Sequence, residues 1–178
     1  ALLAARLRDQ GVTVLDLLES FYRKYGLFLT TQKSIATHGH TEDLTIGARL
    51  RKSPPTEIAG HKITAISDLQ QGTRVELASS KVDPINLPSS DVLMFYLDDD
   101  SRIIVRPSGT EPKVKFYYEI CESLREGESF NDAEARAQAR LEDLVARHQT
   151  EVQNYTGNPP RPNNRNPIAS STCRDSTL

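Results

Sequence analysis

The sequence predicts an α+β fold in which a small, antiparallel-rich sheet packs against helices. The first observation is the hydrophobic pattern of residues 92–120, which predicts three consecutive strands. The second is a helical pattern that begins near Asn131, after those strands rather than between them. The third is a pair of helical segments within residues 1–25, which we interpret as the helical end of a partial domain preceding the sheet.

Residues 1–50 are predicted to form the C-terminal end of a partial α/β domain. Residues 1–10 favour a helix that ends at Gly11, and Thr13 can cap a second helix. A strand over residues 27–33 follows this second helix. Because these elements bury little by themselves and the chain begins without methionine, we expect an N-terminal portion to be missing. The second helix has five apolar residues at helical spacing: Val14, Leu17, Leu18, Phe21 and Tyr25.

Residues 51–155 are predicted to form an α+β domain. A short helix over residues 42–52, stopped by Pro54-Pro55, marks the boundary. Strands are predicted over residues 61–67 and, less regularly, 74–77.

The clearest part of this domain is a hairpin followed by a third strand. Residues 92–97 and 102–105 form the hairpin, and Asp98-Asp99-Asp100 forms its turn, where we expect the carboxylates to be solvated. Apolar and polar residues alternate over residues 113–120, so the sheet should have one buried face and one polar face.

A last helix and a tail complete the predicted organisation. Asn131 and Glu134 resemble a capping box at the start of this helix. Residues 156–178 are rich in proline, asparagine, arginine and serine, which predicts a disordered tail. The apolar stripe of the helix consists of Ala137, Leu141, Leu144 and Val145.

The overall charge does not point to nucleic acid or to membranes as partners. The chain has 22 basic and 24 acidic residues, a formal net charge of −2. No apolar run is long enough to span a bilayer. Cys121 and Cys173 are too few and too far apart for a disulfide framework, which favours a cytoplasmic location. Any anion must therefore be bound by a local arrangement of donors.

Such an arrangement is present in the loop between the second and third strands. Arg106 can bind a phosphate through its guanidinium fork, and Ser108 and Thr110 add hydroxyl groups. Gly109 permits a tight backbone path and exposes main-chain N–H groups, and Lys115 can reach back from the strand. At about 1.5–3 kcal/mol for each charge-assisted bond, several bonds less the cost of association leave an affinity on the order of millimolar.

Other residues of the segment could assist phosphate binding, but they do not by themselves indicate it. Pro107 and Pro112 stiffen both ends, Lys113 is a weaker candidate donor, and Glu111 can orient Arg106 or Lys113. On chemistry alone, a turn flanked by solvated charges explains the segment equally well.

The segment Arg106–Lys115, Arg-Pro-Ser-Gly-Thr-Glu-Pro-Lys-Val-Lys, closely resembles the phosphate-binding loop of the α-D-phosphohexomutases, the family of phosphoglucomutase and phosphomannomutase. The resemblance covers residues 1 to about 150. The helix pair with the following strand looks like the close of the family's third domain. Residues from about 55 to 150 look like its fourth, C-terminal domain, an α+β unit of sheet and helices.

The resemblance implies a parent enzyme that is an isomerase, an intramolecular phosphotransferase. It would move a phosphate between positions 1 and 6 of a sugar, or position 5 of a pentose, through a phosphoserine. In the family this loop holds the phosphate that is not reacting. The resemblance therefore assigns phosphate contacts to Arg106, Ser108, Gly109, Thr110 and Lys115, with Lys113 as a weaker contact.

The sequence also lacks parts that the family needs. We find no phosphoserine loop, no aspartate loop for Mg²⁺ and no loop that reads the sugar hydroxyls. We therefore expect the chain alone to have no catalytic residue, to bind no metal and to be inactive. Its expected partners are a phosphosugar of the glucose or mannose class and the remaining domains of the parent enzyme.

Three other interpretations remain open. A non-catalytic interaction module would use apolar surface that missing domains would cover. Binding of nucleic acid by the polar face is weakly supported, because Glu119 lies beside the lysines. A metal site at His38 and His40, with Glu42 and Asp43, is disfavoured against a solvent-exposed loop.

Overall fold

The computed structural model describes residues 2–36, 46–111 and 113–156. The helices in these ranges are α1 (Leu2–Asp9), α2 (Val14–Tyr25), α3 (Ile46–Lys52) and α4 (Phe130–Thr156). The strands are β1 (Leu27–Ala36), β2 (Glu57–Ile58), β3 (His61–Asp68), β4 (Thr73–Glu76), β5 (Lys81–Pro84), β6 (Leu93–Leu97), β7 (Arg102–Pro107) and β8 (Lys113–Glu122).

The strands form one antiparallel sheet in the order β1-β8-β7-β6-β3-β4-β5, and β2 pairs with β3. Helix α4 packs against β1 and β8. The predicted α+β fold class is therefore confirmed, and so is the predicted hairpin of β6 and β7.

Strand β8 shows why the sheet has two different faces. Val114, Phe116, Tyr118 and Ile120 are at most 3% exposed and belong to the core. The residues between them are half-buried and point to the other face, because successive side chains of a strand alternate. The predicted alternation is confirmed. The face opposite the core, which we call the polar face, also carries the end of the loop that follows β7.

The N-terminal helices contribute less to the core than their pattern predicted. The capping box of α2 is present, with Thr13 and Asp16 bonded reciprocally. The apolar stripe is nevertheless exposed: Val14 is 50% exposed, Phe21 48% and Tyr25 61%.

Strand β1 belongs to the same sheet as the rest of the chain. It pairs with β8 over ten residues, from Leu27 opposite Glu122 to Ala36 opposite Lys113. The domain boundary at residue 50 remains a prediction, and the sheet extends across it.

The start of α4 corrects one prediction. The helix begins at Phe130, and the cap is Ser129, whose Oγ accepts a 3.2 Å hydrogen bond from the Asp132 N–H and donates to the Asp132 carboxylate at 2.7 Å. The pair Asn131 and Glu134 was the wrong choice, because Ser129 and Asp132 have the same spacing two residues earlier. The predicted stripe is buried as expected: Ala137, Leu141, Leu144 and Val145.

Some predictions lie outside the described residues. They concern the tail after Thr156, Pro112, and the histidines and acids of residues 37–45. Among the described residues, no helix combines the length and the apolar character needed to cross a membrane.

Candidate phosphate-binding loop

The candidate site lies where β7 ends and β8 begins. Arg106 pairs with Lys115, and Pro107 pairs with Val114. Lys115 also pairs with Ser34 of β1, so one row across three strands carries Ser34, Lys115 and Arg106. Residues that pair across antiparallel strands share a face. Arg106 is exposed and Lys115 is half-buried, so both basic side chains belong to the polar face.

The loop is closed by its own backbone. The Ser108 N–H donates to the Lys113 carbonyl at 2.9 Å, and the Lys113 N–H donates to the Glu111 carbonyl at 2.7 Å. The Glu111 N–H donates to Ser108 Oγ at 3.3 Å. The N–H groups of Gly109 and Thr110 have no hydrogen-bond partner within the described ranges. These two donors at the tip of the loop are therefore available to an anion.

The lysines of the loop differ in their partners. Lys113 forms an ion pair with Glu111. The hydrogen bond and the charge of Lys113 lower the pKa of Glu111, with a smaller effect from Lys115. Glu111 therefore engages Lys113 rather than Arg106. In the part of the chain that the structure describes, Arg106 and Lys115 form no ion pair.

Gly109 is not required by the fold of the loop. Its φ does not lie in the left-handed region, and a Cβ atom built at this position meets nothing within 4 Å. The backbone of the loop therefore does not by itself demand glycine at this position. Any need for glycine here must come from a ligand that approaches the backbone.

The polar face carries further cations that sequence analysis missed. Arg102 on β7 forms a 2.7 Å ion pair with Glu119 on β8. The guanidinium of Arg74 lies 4.0 Å from the ring centre of Tyr96 on β6. The sequence could have shown this, because the alternation of side chains along β6 and β7 places Tyr96 and Arg102 on the polar face.

The hairpin turn at the other end of β7 is not simply solvated, which corrects the sequence prediction. Arg140 of α4 donates to Asp99 Oδ2 at 2.7 Å and to Ser101 Oγ at 3.1 Å. Burial raises the pKa of Asp99, but the hydrogen bonds from Arg140 and Ser101 outweigh it, so that its pKa lies below the ordinary value. The turn is thereby fixed to α4.

The same turn contains the one cluster of metal-ligand type found among the described residues. His61, Asp98 and Asp99 bring their ligand atoms within 4.8 Å of one another. Mg²⁺ prefers an octahedron of oxygen atoms, whereas this cluster offers a histidine nitrogen and a carboxylate already bonded to Arg140. The cluster does not fit Mg²⁺, and it lies at the opposite end of β7 from the candidate loop.

The described residues thus define an antiparallel sheet that presents a short, self-bonded loop with unpaired basic side chains. The comparison with known proteins assigns this domain to a class. Residues 62–147 match the family described as phosphoglucomutase/phosphomannomutase, C-terminal domain. The domain that contains residues 62–147 belongs to the phosphoglucomutase/phosphomannomutase family, as its C-terminal domain.

Individual relatives agree with this assignment. A phosphoglucomutase of Staphylococcus epidermidis is 35% identical over 120 residues, which cover 66% of this chain. A probable phosphomannomutase of Haemophilus influenzae is 36% identical over 115 residues, or 65% of this chain. The matched regions cover 22% and 21% of these relatives, so the chain spans about a fifth of their length.

One solved structure is also similar, at 15% identity and a TM-score of 0.38. It is the open form of the exocytosis-sensitive phosphoprotein pp63/parafusin, a phosphoglucomutase from Paramecium. The alignment covers 83% of this chain and 24% of that chain.

Proposed function

We propose that this chain is the phosphate-binding C-terminal portion of a phosphohexomutase, and that its loop holds the phosphate of the sugar that is not reacting. The observation that supports the proposal best is the pair Arg106 and Lys115, directly opposite each other on β7 and β8. Like charges in that position repel each other, and within the described residues no carboxylate pairs with either of them. An anion bound between them would remove the repulsion.

Each residue of the loop has a distinct part in this proposal. Arg106 supplies a bidentate guanidinium and Lys115 a point charge. Gly109 and Thr110 supply their unpartnered N–H groups. Ser108 Oγ accepts from the Glu111 N–H and still has a proton to donate. Lys113 contributes least, because it is already paired with Glu111.

The proposed role of this portion is positioning and electrostatic stabilisation. Holding the distal phosphate orients the sugar, and the bound charge draws the domains of the parent enzyme together over the substrate. The phosphoserine, the Mg²⁺ that this family uses and the groups that read the sugar would come from the rest of the parent enzyme. The chain by itself is then inactive in sugar phosphate isomerisation, and its substrates belong to the glucose and mannose phosphate class.

The first test is the substitution Arg106→Ala. We expect the affinity for glucose 6-phosphate to fall at least about tenfold, which takes a millimolar constant out of the measurable range. Arg106 is exposed and forms no ion pair with any described residue, so the stability of the fold should hardly change. Amide chemical shifts during a titration with glucose 6-phosphate measure the affinity, and urea denaturation measures the stability.

A matched control for this test is Arg147→Ala. Arg147 is an exposed arginine on α4 whose only ion pair with a described residue is with Asp143, one turn away. The control should bind glucose 6-phosphate as the unchanged chain does. The proposal fails if the amides of Ser108, Gly109 and Thr110 in the unchanged chain do not respond to millimolar glucose 6-phosphate.

A second candidate function, a non-catalytic interaction module, is favoured by the exposed face of α2. Val14, Leu18 and Phe21 are 50%, 41% and 48% exposed, respectively. Such a patch marks a contact surface. If the chain were only an interaction module, sedimentation should show self-association. Addition of glucose 6-phosphate should change neither this self-association nor the chemical shifts of the loop amides. A loop response at constant sedimentation coefficient would favour the phosphate-binding role.

A further inference from the structure

A cavity lies on the buried side of the sheet, away from the phosphate loop. Its volume is about 520 Å³, which is in the range of small-molecule sites. The walls come from the sheet, from α3 and from the C-terminal half of α4; they include Phe95, Val105, Phe116, Ile46, Leu50 and His148. The first five of these side chains are apolar.

The wall formed by α3 is anchored to the sheet. Arg51 donates through Nε and Nη2 to the two carboxylate oxygens of Asp68, at 2.8 and 3.1 Å, and through Nη1 to Asp91 at 2.6 Å. Asp68 is buried at the end of β3. These bonds fix α3 over the sheet, where Ile46 and Leu50 pack against the core and line one side of the cavity.

One of the polar residues in the wall is His148, which the proposed function does not use. Only 6% of it is exposed, and its Nδ1 atom lies 3.0 Å from the hydroxyl of Tyr118. Its ring packs edge-on against Phe116 and Tyr118. The Nε2 atom forms no hydrogen bond with any residue that the structure describes.

The bond to Tyr118 determines what Nε2 can do. Tyr118 is fully buried, and its hydroxyl has no other hydrogen-bond partner among the described residues. A phenol donates well and accepts poorly, so its proton goes to Nδ1, and the neutral ring carries its own proton on Nε2. Burial lowers the pKa of His148 to about 4, so the ring is neutral at physiological pH. Within the described ranges, Nε2–H is therefore a donor without an acceptor.

The charges around the cavity do not favour an anionic ligand. Arg49 is accompanied in the wall by two acids, Glu57 and Glu151. Glu151 also accepts the N–H of Ala59 at 2.9 and 3.0 Å, which fixes its carboxylate group at the wall of the cavity. A ligand must fill an apolar space and offer one acceptor, and a negative charge on it would be repelled.

We propose that this cavity binds a small, uncharged, mainly apolar molecule whose single hydrogen-bond acceptor takes the proton of His148 Nε2. The site is separate from the phosphate loop, because Val105 and Phe116 point to the core face whereas Arg106 and Lys115 point to the polar face. It does not depend on the proposed mutase role.

The test compares two probes of similar shape on the full chain. Acetophenone has an aromatic ring and one carbonyl acceptor, and ethylbenzene has the ring without the acceptor. We expect acetophenone to shift the NMR signals of His148 Nε2, Phe116 and Ile46, and to bind about fivefold more tightly than ethylbenzene, the value of one neutral hydrogen bond. The loop amides of Gly109 and Thr110 should not move.

Two variants make the result specific. The half-buried Leu50 lies on α3, and the substitution Leu50→Trp fills the cavity from that side. It should lower the affinity for both probes at least about tenfold. His148→Phe removes the donor and should abolish the preference for acetophenone. If His148→Phe fails to fold, Leu50→Trp still tests the location.

Three results would overturn the inference. The first is no binding of acetophenone to the full chain up to its solubility. The second is equal affinity for the two probes. The third is binding to a chain that ends at Thr156 but not to the full chain, because residues 157–178 would then occupy the cavity.

Discussion

Replacement of Arg140 by alanine is expected to lower the free energy of unfolding by about 2–3 kcal/mol. The guanidinium donates to the Asp99 carboxylate at 2.7 Å, to the Glu122 carboxylate at 2.8 Å and to the Cys121 carbonyl at 3.1 Å. It therefore joins α4 to the hairpin turn and to the end of β8. Without it, the Asp99 carboxylate, 20% exposed, loses its cation. Loss of one partner of a fully buried pair costs about 3–5 kcal/mol, and the partial exposure reduces this value.

Urea denaturation of three proteins tests this expectation: the unchanged chain, Arg140→Ala and Arg147→Ala. Arg147 lies on the same helix and pairs with Asp143, and the two side chains are 61% and 57% exposed. An exposed pair of this kind contributes less than about 0.5 kcal/mol. Equal stabilities of the two variants would show that the Arg140 network does not stabilise the fold.

The second large effect is a loss of stability as the pH falls from 7 to 5. Burial lowers the pKa of His148 from its ordinary value of 6.5 to about 4. Between these two values the unfolded chain binds a proton that the folded chain does not, so acid favours unfolding. From His148 alone we expect the free energy of unfolding to drop by about 2 kcal/mol between pH 7 and pH 5.

The substitution His148→Gln should remove most of this pH dependence. Glutamine does not titrate, and it can still bond to the Tyr118 hydroxyl. The carboxylates do not obscure the effect, since the pKa values of Glu122 and Glu128 lie below the ordinary 4.5 and their contribution is lost only in stronger acid. Urea denaturation at several pH values provides the measurement.

The control for the pH effect is Tyr118→Phe. Burial is the main cause of the lowered pKa of His148, and a hydrogen bond donated to the neutral ring adds to it. Removal of the hydroxyl should therefore lower the stability but leave most of its dependence on pH in place. A His148→Gln variant that loses stability between pH 7 and 5 as steeply as the unchanged chain would contradict the assignment.

The two faces of the sheet carry different chemistry because β7 and β8 alternate. The polar face carries Arg106 and Lys115, the proposed anion ligands, and the core face carries Val105 and Phe116, which line the cavity. Adjacent residues of one strand thereby belong to two proposed sites. The experiments above address the sites separately, because each has its own probe and its own signals.

The sequence by itself determined the local elements of this protein and the residue types of the candidate loop. The hairpin and the third strand follow from alternation over a few residues, and the cap at Thr13 follows from a pair three residues apart. Such patterns depend on near neighbours only, so they can be read without a tertiary structure. The cap at Ser129 was missed because two local patterns overlap and only the docked helix selects one of them.

The tertiary structure decided the contacts between distant residues and the environment of each side chain. Arg140 meets Asp99 across 41 residues, and His148 meets Tyr118 across 30. Register alone places Arg106 opposite Lys115. The stripe of α2 has the periodicity of a buried face and is exposed, since periodicity states which residues share a face but not what covers it. These outcomes depend on how the helices dock on the sheet, a property of the whole chain.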